Sequence, residues 1–129
     1  PETFDIEGFL SLIKELRSKN DIKVPLFDRS ADKVIKDAQI ISREQDYLVI
    51  EGNYLLLDRE FWRDLSKYWD YKIFITVEQA VLKARLIKRW LGENHTYSEA
   101  EARVVNNDLI NANLVNSYKI EPTLELQTV

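Results

Sequence analysis

The chain alternates short, largely apolar runs with segments whose apolar residues recur at helical spacing. That alternation narrows the possible folds more than any other feature. Tyr47-Leu48-Val49-Ile50 and Tyr71-Lys72-Ile73-Phe74-Ile75-Thr76-Val77 are rich in β-branched and aromatic residues. A continuous apolar run suits a strand covered on both faces. Ile6, Phe9, Leu10, Ile13 and Leu16 follow a capping Asp5 at helical spacing. A short helix is expected from Asp58 or Arg59, with Phe61, Trp62, Leu65 and Tyr68. Residues 78–91 read as a helix that packs through Val81, Leu82, Leu86 and Trp90 and is stopped by Gly92. Ser98-Glu99-Ala100-Glu101 reads as a capping box opening a last helix to about Ser117. Buried strands alternating with helices predict an α/β domain, a parallel sheet flanked by helices.

The remaining segments are less regular. Residues 22–27 are a short apolar run broken by Pro25. Proline cannot donate to a ladder, so this strand is an edge or is irregular there. Residues 31–41 allow a helical turn first, then an extended Gln39-Ile40-Ile41. Pro122 opens a loop, and residues 123–126 suit a terminal strand. With 129 residues, no repeat and no linker, residues 1–129 read as a single domain.

Composition excludes several classes. There is no cysteine, so no disulfide framework and no thiolate metal site. A single histidine, His95, excludes a His-Glu-x-x-His zinc site. The net charge of -4 gives no reason to expect a nucleic-acid partner. No apolar run approaches the roughly 18 residues a membrane span needs. No signal peptide is visible, and Asn94-His95-Thr96 is read as a chance glycosylation sequon in an intracellular, cytoplasmic chain. The chain lacks methionine altogether, so Pro1 is expected to be a processed end, a cut end or the start of a covered segment.

Function in open α/β sheets gathers at the C-terminal ends of the strands, and three groups lie there or just beyond. Glu51, in Glu51-Gly52-Asn53-Tyr54, can hold Mg²⁺ beside a nucleotide phosphate or simply cap a neighbouring helix. Asp28 and Arg29 suit a substrate hydroxyl and an anionic group, or a plain surface ion pair. Arg85 and Arg89, with Lys83 and Lys88 nearby, share a helical face. That face suits a transferring phosphoryl group, although a solvated basic face is the usual meaning of such a run. Further on, Arg103, Asn107 and Asn111 recur every fourth residue with Asp108 beside them. Such a face meets water or a polar cleft, or ties a lid to a ligand. Trp62, Trp69 and Trp90 are most simply packing residues.

Five strings occur in order: Pro1-Glu2-Thr3-Phe4-Asp5, Phe27-Asp28-Arg29, Glu51-Gly52-Asn53-Tyr54-Leu55-Leu56-Leu57, Arg85-Leu86-Ile87-Lys88-Arg89-Trp90 and Asn107-Asp108-Leu109-Ile110-Asn111-Ala112. Together they resemble the nucleoside-kinase-like branch of the uridine kinase and phosphoribulokinase family of P-loop kinases. The resemblance runs from Pro1 to about Val115. It implies a three-layer P-loop kinase fold and the use of ATP and Mg²⁺. It also implies phosphoryl transfer to a hydroxyl of a nucleoside, sugar or related metabolite. Glu51 would be the Walker B-like carboxylate near the metal. Asp28, Arg29 and Tyr54 would belong to the acceptor site. Arg85 and Arg89 would sit on the lid, with Asp108 and Asn111 on the helix after it.

The family's phosphate loop is absent from these residues. The only glycines, Gly8, Gly52 and Gly92, precede Phe9, Asn53 and Glu93, so no Gly-Lys pair exists. The expectation is therefore the C-terminal part of such a kinase, incomplete at its N-terminus and inactive alone, able to associate or form a homodimer through an exposed sheet edge. A non-catalytic kinase-fold module that binds a metabolite or partner protein is the alternative. A nucleic-acid-binding domain using residues 83–89 is a weaker third, opposed by the acidic total.

Overall fold

Backbone pairing divides this chain into two ladders. In the computed structural model, which describes residues 4–18, 20–28, 31 and 33–128, β1 (Ile22–Asp28) pairs antiparallel with β2 (Lys33–Ile41), and β3 (Ile73–Val77) pairs parallel with β4 (Leu124–Thr128). The chain forms two compact units, Pro1–Gly52 and Asn53–Val129.

The first unit opens with α1 (Ile6–Leu16). Asp5 caps it, accepting a 2.9 Å hydrogen bond from the Gly8 amide. Gly8 permits this, because a Cβ there would press into the Asp5 carboxylate. Ile13 is buried and Ile6, Phe9, Leu10 and Leu16 half-buried, as the spacing predicts. In the β1–β2 ribbon, Val24 lies opposite Gln39 and Leu26 opposite Ile35. Pro25 therefore faces three residues, and Asp37 among them takes a left-handed φ of 53°. Lacking an N–H, Pro25 cannot hold a regular register, and the partner strand bulges away.

Two expectations need correction here. Residues 33–41 form one strand, bulged at Asp37 and without a helical turn, because pairing with β1 overrides their local ambiguity. Residues 47–50 form no strand, and Tyr47 and Val49 are 89% and 91% exposed. A strand exists only where a neighbour completes its ladder. Among the described residues β1 pairs with β2 and β3 with β4, and no strand pairs with 47–50.

The second unit is built on Tyr54, Leu56, Leu57, Trp62 and Leu65, all buried. The rings of Tyr54 and Trp62 meet at 5.3 Å. A bridge joins Leu57 to Lys119, and the Ile120 amide donates to the Leu56 carbonyl. The short helix expected here is a 3₁₀ helix, Trp62–Tyr68. Beyond it the Trp69 indole donates to the Leu55 carbonyl. Next come β3, α2 (Gln79–Gly92) and α3 (Tyr97–Arg103), a π turn (Val104–Asp108), α4 (Leu109–Tyr118) and β4. Among the described residues no helix is long and apolar enough to cross a membrane.

The connection from α2 to α3 differs from the sequence reading at both ends. Gly92 lies within the helix, and Asn94 takes the left-handed position at φ 65°. The His95 amide reaches back to the Trp90 carbonyl and the Asn94 amide to the Leu91 carbonyl. This is a Schellman stop with Asn94 as its left-handed residue. The capping box then forms two residues earlier than expected. Thr96 accepts from the Glu99 amide, and Glu99 accepts from the Thr96 amide at 2.8 Å. Thr96, extended directly after the stop, claims the cap that Ser98 was expected to hold. Glu101 instead binds Lys83 at 2.8 Å, tying α3 to α2.

Ala100 and Val104 are fully buried, one turn apart, against Ile87 of α2. The next residue packed on that cluster is Leu109, five positions on rather than four. A π turn accommodates the extra residue, and the Leu109 amide bonds to the Val104 carbonyl. Asp108 is thereby rotated off the buried face.

Two outcomes follow. Leu65→Ala, at a fully buried site, should cost about 2–5 kcal/mol in urea denaturation. Hydrogen bonds from the Thr96 amide and hydroxyl hold the Glu99 carboxyl below its ordinary pKa. Its stabilising effect is present above the ordinary glutamate range and is lost as pH falls through the lowered value. A carbon-detected NMR titration placing Glu99 at or above an ordinary glutamate would contradict this.

Candidate functional site

The sequence-predicted residues fall in both units. Asp28 ends β1, and its carboxylate accepts from the Ala31 amide at 3.2 Å, closing a turn. Arg29 lies outside the described residues. Glu51 is exposed in the irregular segment that ends the first unit. Tyr54 belongs to the second unit and is a core residue, 5% exposed against Trp62.

Arg85 and Arg89 share one face of α2 but take different partners. Arg85 donates from Nη1 to the Thr128 hydroxyl at 3.3 Å. Thr128 is paired with Val77 at the C-terminal end of the parallel ladder. Arg85 thus reaches the strand ends, where ligands of open α/β sheets collect. Arg89 turns to Asp108, with Nη2 3.6 Å from Oδ2.

A cluster forms around Asp108 and Trp90. The Trp90 indole Nε1 donates to Asp108 Oδ2 at 2.7 Å. The guanidiniums of Arg89 and Arg103 each lie 4.9 Å from the centre of the Trp90 ring. Cations are drawn to the negative face of an aromatic ring. His95 meets the same ring edge-on at 5.2 Å. Asn107 donates to Asp108 Oδ1 at 3.4 Å, and Asn111 donates to Asn107 at 3.2 Å. The amide face predicted from spacing is thus a short chain of hydrogen bonds leading to Asp108. Beside it, the hydrogen bond to Glu101 is the main cause holding the Lys83 ammonium above its ordinary pKa.

Local structure explains this convergence. The Schellman stop fixes the chain around Trp90 and lays His95 against it. The π turn sets Asp108 beside the buried face, where the indole N–H can reach it. Sequence spacing put Trp90 with the packing residues and missed its polar end. The signal was present only as an extra residue between Val104 and Leu109, which breaks the four-residue spacing that begins at Ala100. Chemically, two cations, one aromatic face and one carboxylate suit a bound anion. Among the described residues no group of three or more His, Asp or Glu is placed to hold a metal ion.

Comparison with known proteins bears on this arrangement. No family model matches the chain. A protein of Schizosaccharomyces pombe named "putative uridine kinase" is 34% identical over 129 residues, covering 97% of this chain and 55% of its own length. The ATP-dependent kinase-like protein notR' of Aspergillus versicolor is 32% identical, covering 85% of this chain and 68% of its own. A crystal structure titled "putative fructose transport system kinase", from Silicibacter sp. TM1040, superposes with a TM-score of 0.90 at 42% identity, covering 97% of this chain and 61% of that one. The chain therefore spans little more than half the length of its fission-yeast relative.

Asp108→Ala should leave the half-buried Trp90 indole without its acceptor and cost about 1–3 kcal/mol in chemical denaturation. Asp108→Asn, which keeps an acceptor oxygen, should recover most of that loss.

Proposed function

Since the chain belongs to the uridine kinase-like family of P-loop kinases and has their α/β fold, we propose that it serves an ATP-dependent phosphotransferase. The acceptor would be a hydroxyl of a nucleoside, sugar or related metabolite. The observation that carries this reading is Arg85, held through Thr128 at the C-terminal end of the parallel strands. Phosphoryl transfer leaves little covalent chemistry to the protein. Catalysis is positioning and neutralisation of charge on the transferring group.

On this reading each residue has a part. Arg85 and Arg89 neutralise phosphate charge from the lid. Asp28 and Arg29 orient the acceptor hydroxyl. Tyr54 would contribute to the acceptor site, and Asn111 would steady Asp108 through Asn107. Glu51 would hold Mg²⁺. One exposed carboxylate suits this ion, which keeps most of its waters and takes phosphate oxygens as further ligands. Bound Mg²⁺ would neutralise charge on the phosphates. ATP suits the arginine face, but the glycine-rich cradle for its phosphates is not among these residues. The 129 residues alone are therefore expected not to turn over. A cytoplasmic location goes with the same reading. So does association with a second copy through an exposed sheet edge.

The test is an assay of the full-length gene product with ATP, Mg²⁺ and a panel of nucleosides, sugars and related alcohols. Phosphorylation of one class is expected. Arg85→Gln and Arg89→Gln should each lower turnover about 10³-fold or more, and Glu51→Gln should raise the Mg²⁺ requirement. A folded protein that binds a metabolite but transfers nothing from ATP would favour the non-catalytic module instead.

A further inference from the structure

We propose that the groove along α2, on the side opposite Leu82 and Leu86, is the docking surface for an acidic amphipathic helix of a partner protein. Docking there is independent of phosphoryl transfer and uses none of the arginines assigned to it.

α2 is apolar on more sides than its own unit covers. Val81, Leu82, Leu86 and Trp90 are half-buried, and Ile87 is buried against α3. Ala80, Ala84 and Leu91 are also apolar, yet they are exposed, Leu91 at 42%. With Ile87 they recur at steps of four, three and four residues, the spacing of a seam along which one helix meets another. Tyr97, exposed at the start of α3, lines the same groove, which encloses about 490 Å³. From Ala80 to Leu91 the seam runs about 16 Å at helical rise. A contiguous apolar surface rimmed by polar residues marks an interaction site.

Geometry and charge together select the occupant. A groove lined by helical residues offers no unpaired strand edge, so an extended peptide has no ladder to join. The groove is open, whereas a small molecule needs most of its surface enclosed. Ala80 and Ala84 have no side chain beyond Cβ, so a facing helix can approach closely there. Lys83 and Lys88 lie on opposite sides of the seam at helical spacing and form its two rims. α3 shows how a helix meets the first rim. Ala100 packs against Ile87, and Glu101 binds Lys83 at 2.8 Å. Lys88, on the other rim, has no ion-pair partner among the described residues. The occupant repeats what α3 does, with apolar side chains in the seam and a carboxylate on Lys88. A second copy of this chain does not fit, because the groove set against itself brings lysine rims together, and like charges repel.

The test uses a fluorescein-labelled synthetic peptide of three heptads, with leucine at both seam positions and glutamate at the flanking ones. A twin peptide carries lysine in place of glutamate. Fluorescence anisotropy with the full-length gene product should show saturable binding of the acidic peptide and about tenfold weaker binding of its twin. Leu91→Glu, which puts a carboxylate in the seam, should weaken the acidic peptide about tenfold, and Ala84→Arg, which fills the seam, by a similar factor. Both positions are exposed, so thermal melts of these variants should match the parent. Lys88→Glu should weaken the acidic peptide about fivefold and strengthen its lysine twin about as much. Arg85→Gln and Arg89→Gln should change neither, which separates docking from general attraction to the arginine face. No saturable binding, equal binding of the twin peptides, or an acidic peptide indifferent to both Leu91→Glu and Ala84→Arg would each overturn the proposal. Self-association of the full-length protein that Leu91→Glu abolishes would overturn it in favour of a second copy.

Discussion

The contact of α3 with α2 sets the rest of the second unit. Ala100 has no side chain beyond Cβ, so the two helices approach closely, and Val104 fills the next turn against Ile87. Burying each of the two larger side chains contributes about 1.5–3 kcal/mol, which is large beside any single surface interaction. That gain explains why the helix accepts a poorer hydrogen-bond register at the π turn. Leu109 must reach the same seam, and one residue too many separates it from Val104. The chemistry-bearing groups follow from this hydrophobic decision. Asp108 is polar, at the flank, and within reach of Trp90 because Leu109 took the inner position.

The electrostatics of the arginine face are correspondingly indirect. Arg85 and Arg89 are one turn apart, and a helix left to itself would present them together. Tertiary structure separates them. One is drawn to a hydroxyl at the strand ends, the other to a carboxylate and an aromatic face. A cation bound to a ring or at long range to a carboxylate keeps most of its charge available. This differs from a closed bidentate ion pair, which would cancel it.

Much of this was legible in the residues, and what was not has physical causes. The apolar spacing of α1, α2 and the last helical run, the β3 strand and the disturbance at Pro25 all follow from local pattern. The segment 47–50 has the composition of a buried strand and none of the pairing, because composition reports preference and pairing requires a neighbour. The stop of α2 was misplaced because Gly92 is the obvious candidate, whereas Asn94 tolerates the same left-handed backbone. The capping box moved with it. In the candidate site, spacing brought Asn107, Asp108 and Asn111 together, and hydrogen bonds join these three. It could not join them to Trp90, 18 residues from Asp108, because that contact depends on an irregular turn that no regular period describes.

The left-handed turn at Asn94 bears on how relatives of this chain diverge. Gly92 has a helical backbone and open space where a Cβ would stand. Its glycine is therefore free to drift to almost any residue, and alanine there would strengthen the helix. Position 94 admits little besides asparagine and glycine. An alignment anchored on the glycine would slip the turn by two residues and carry Trp90 and Thr96 out of register with it.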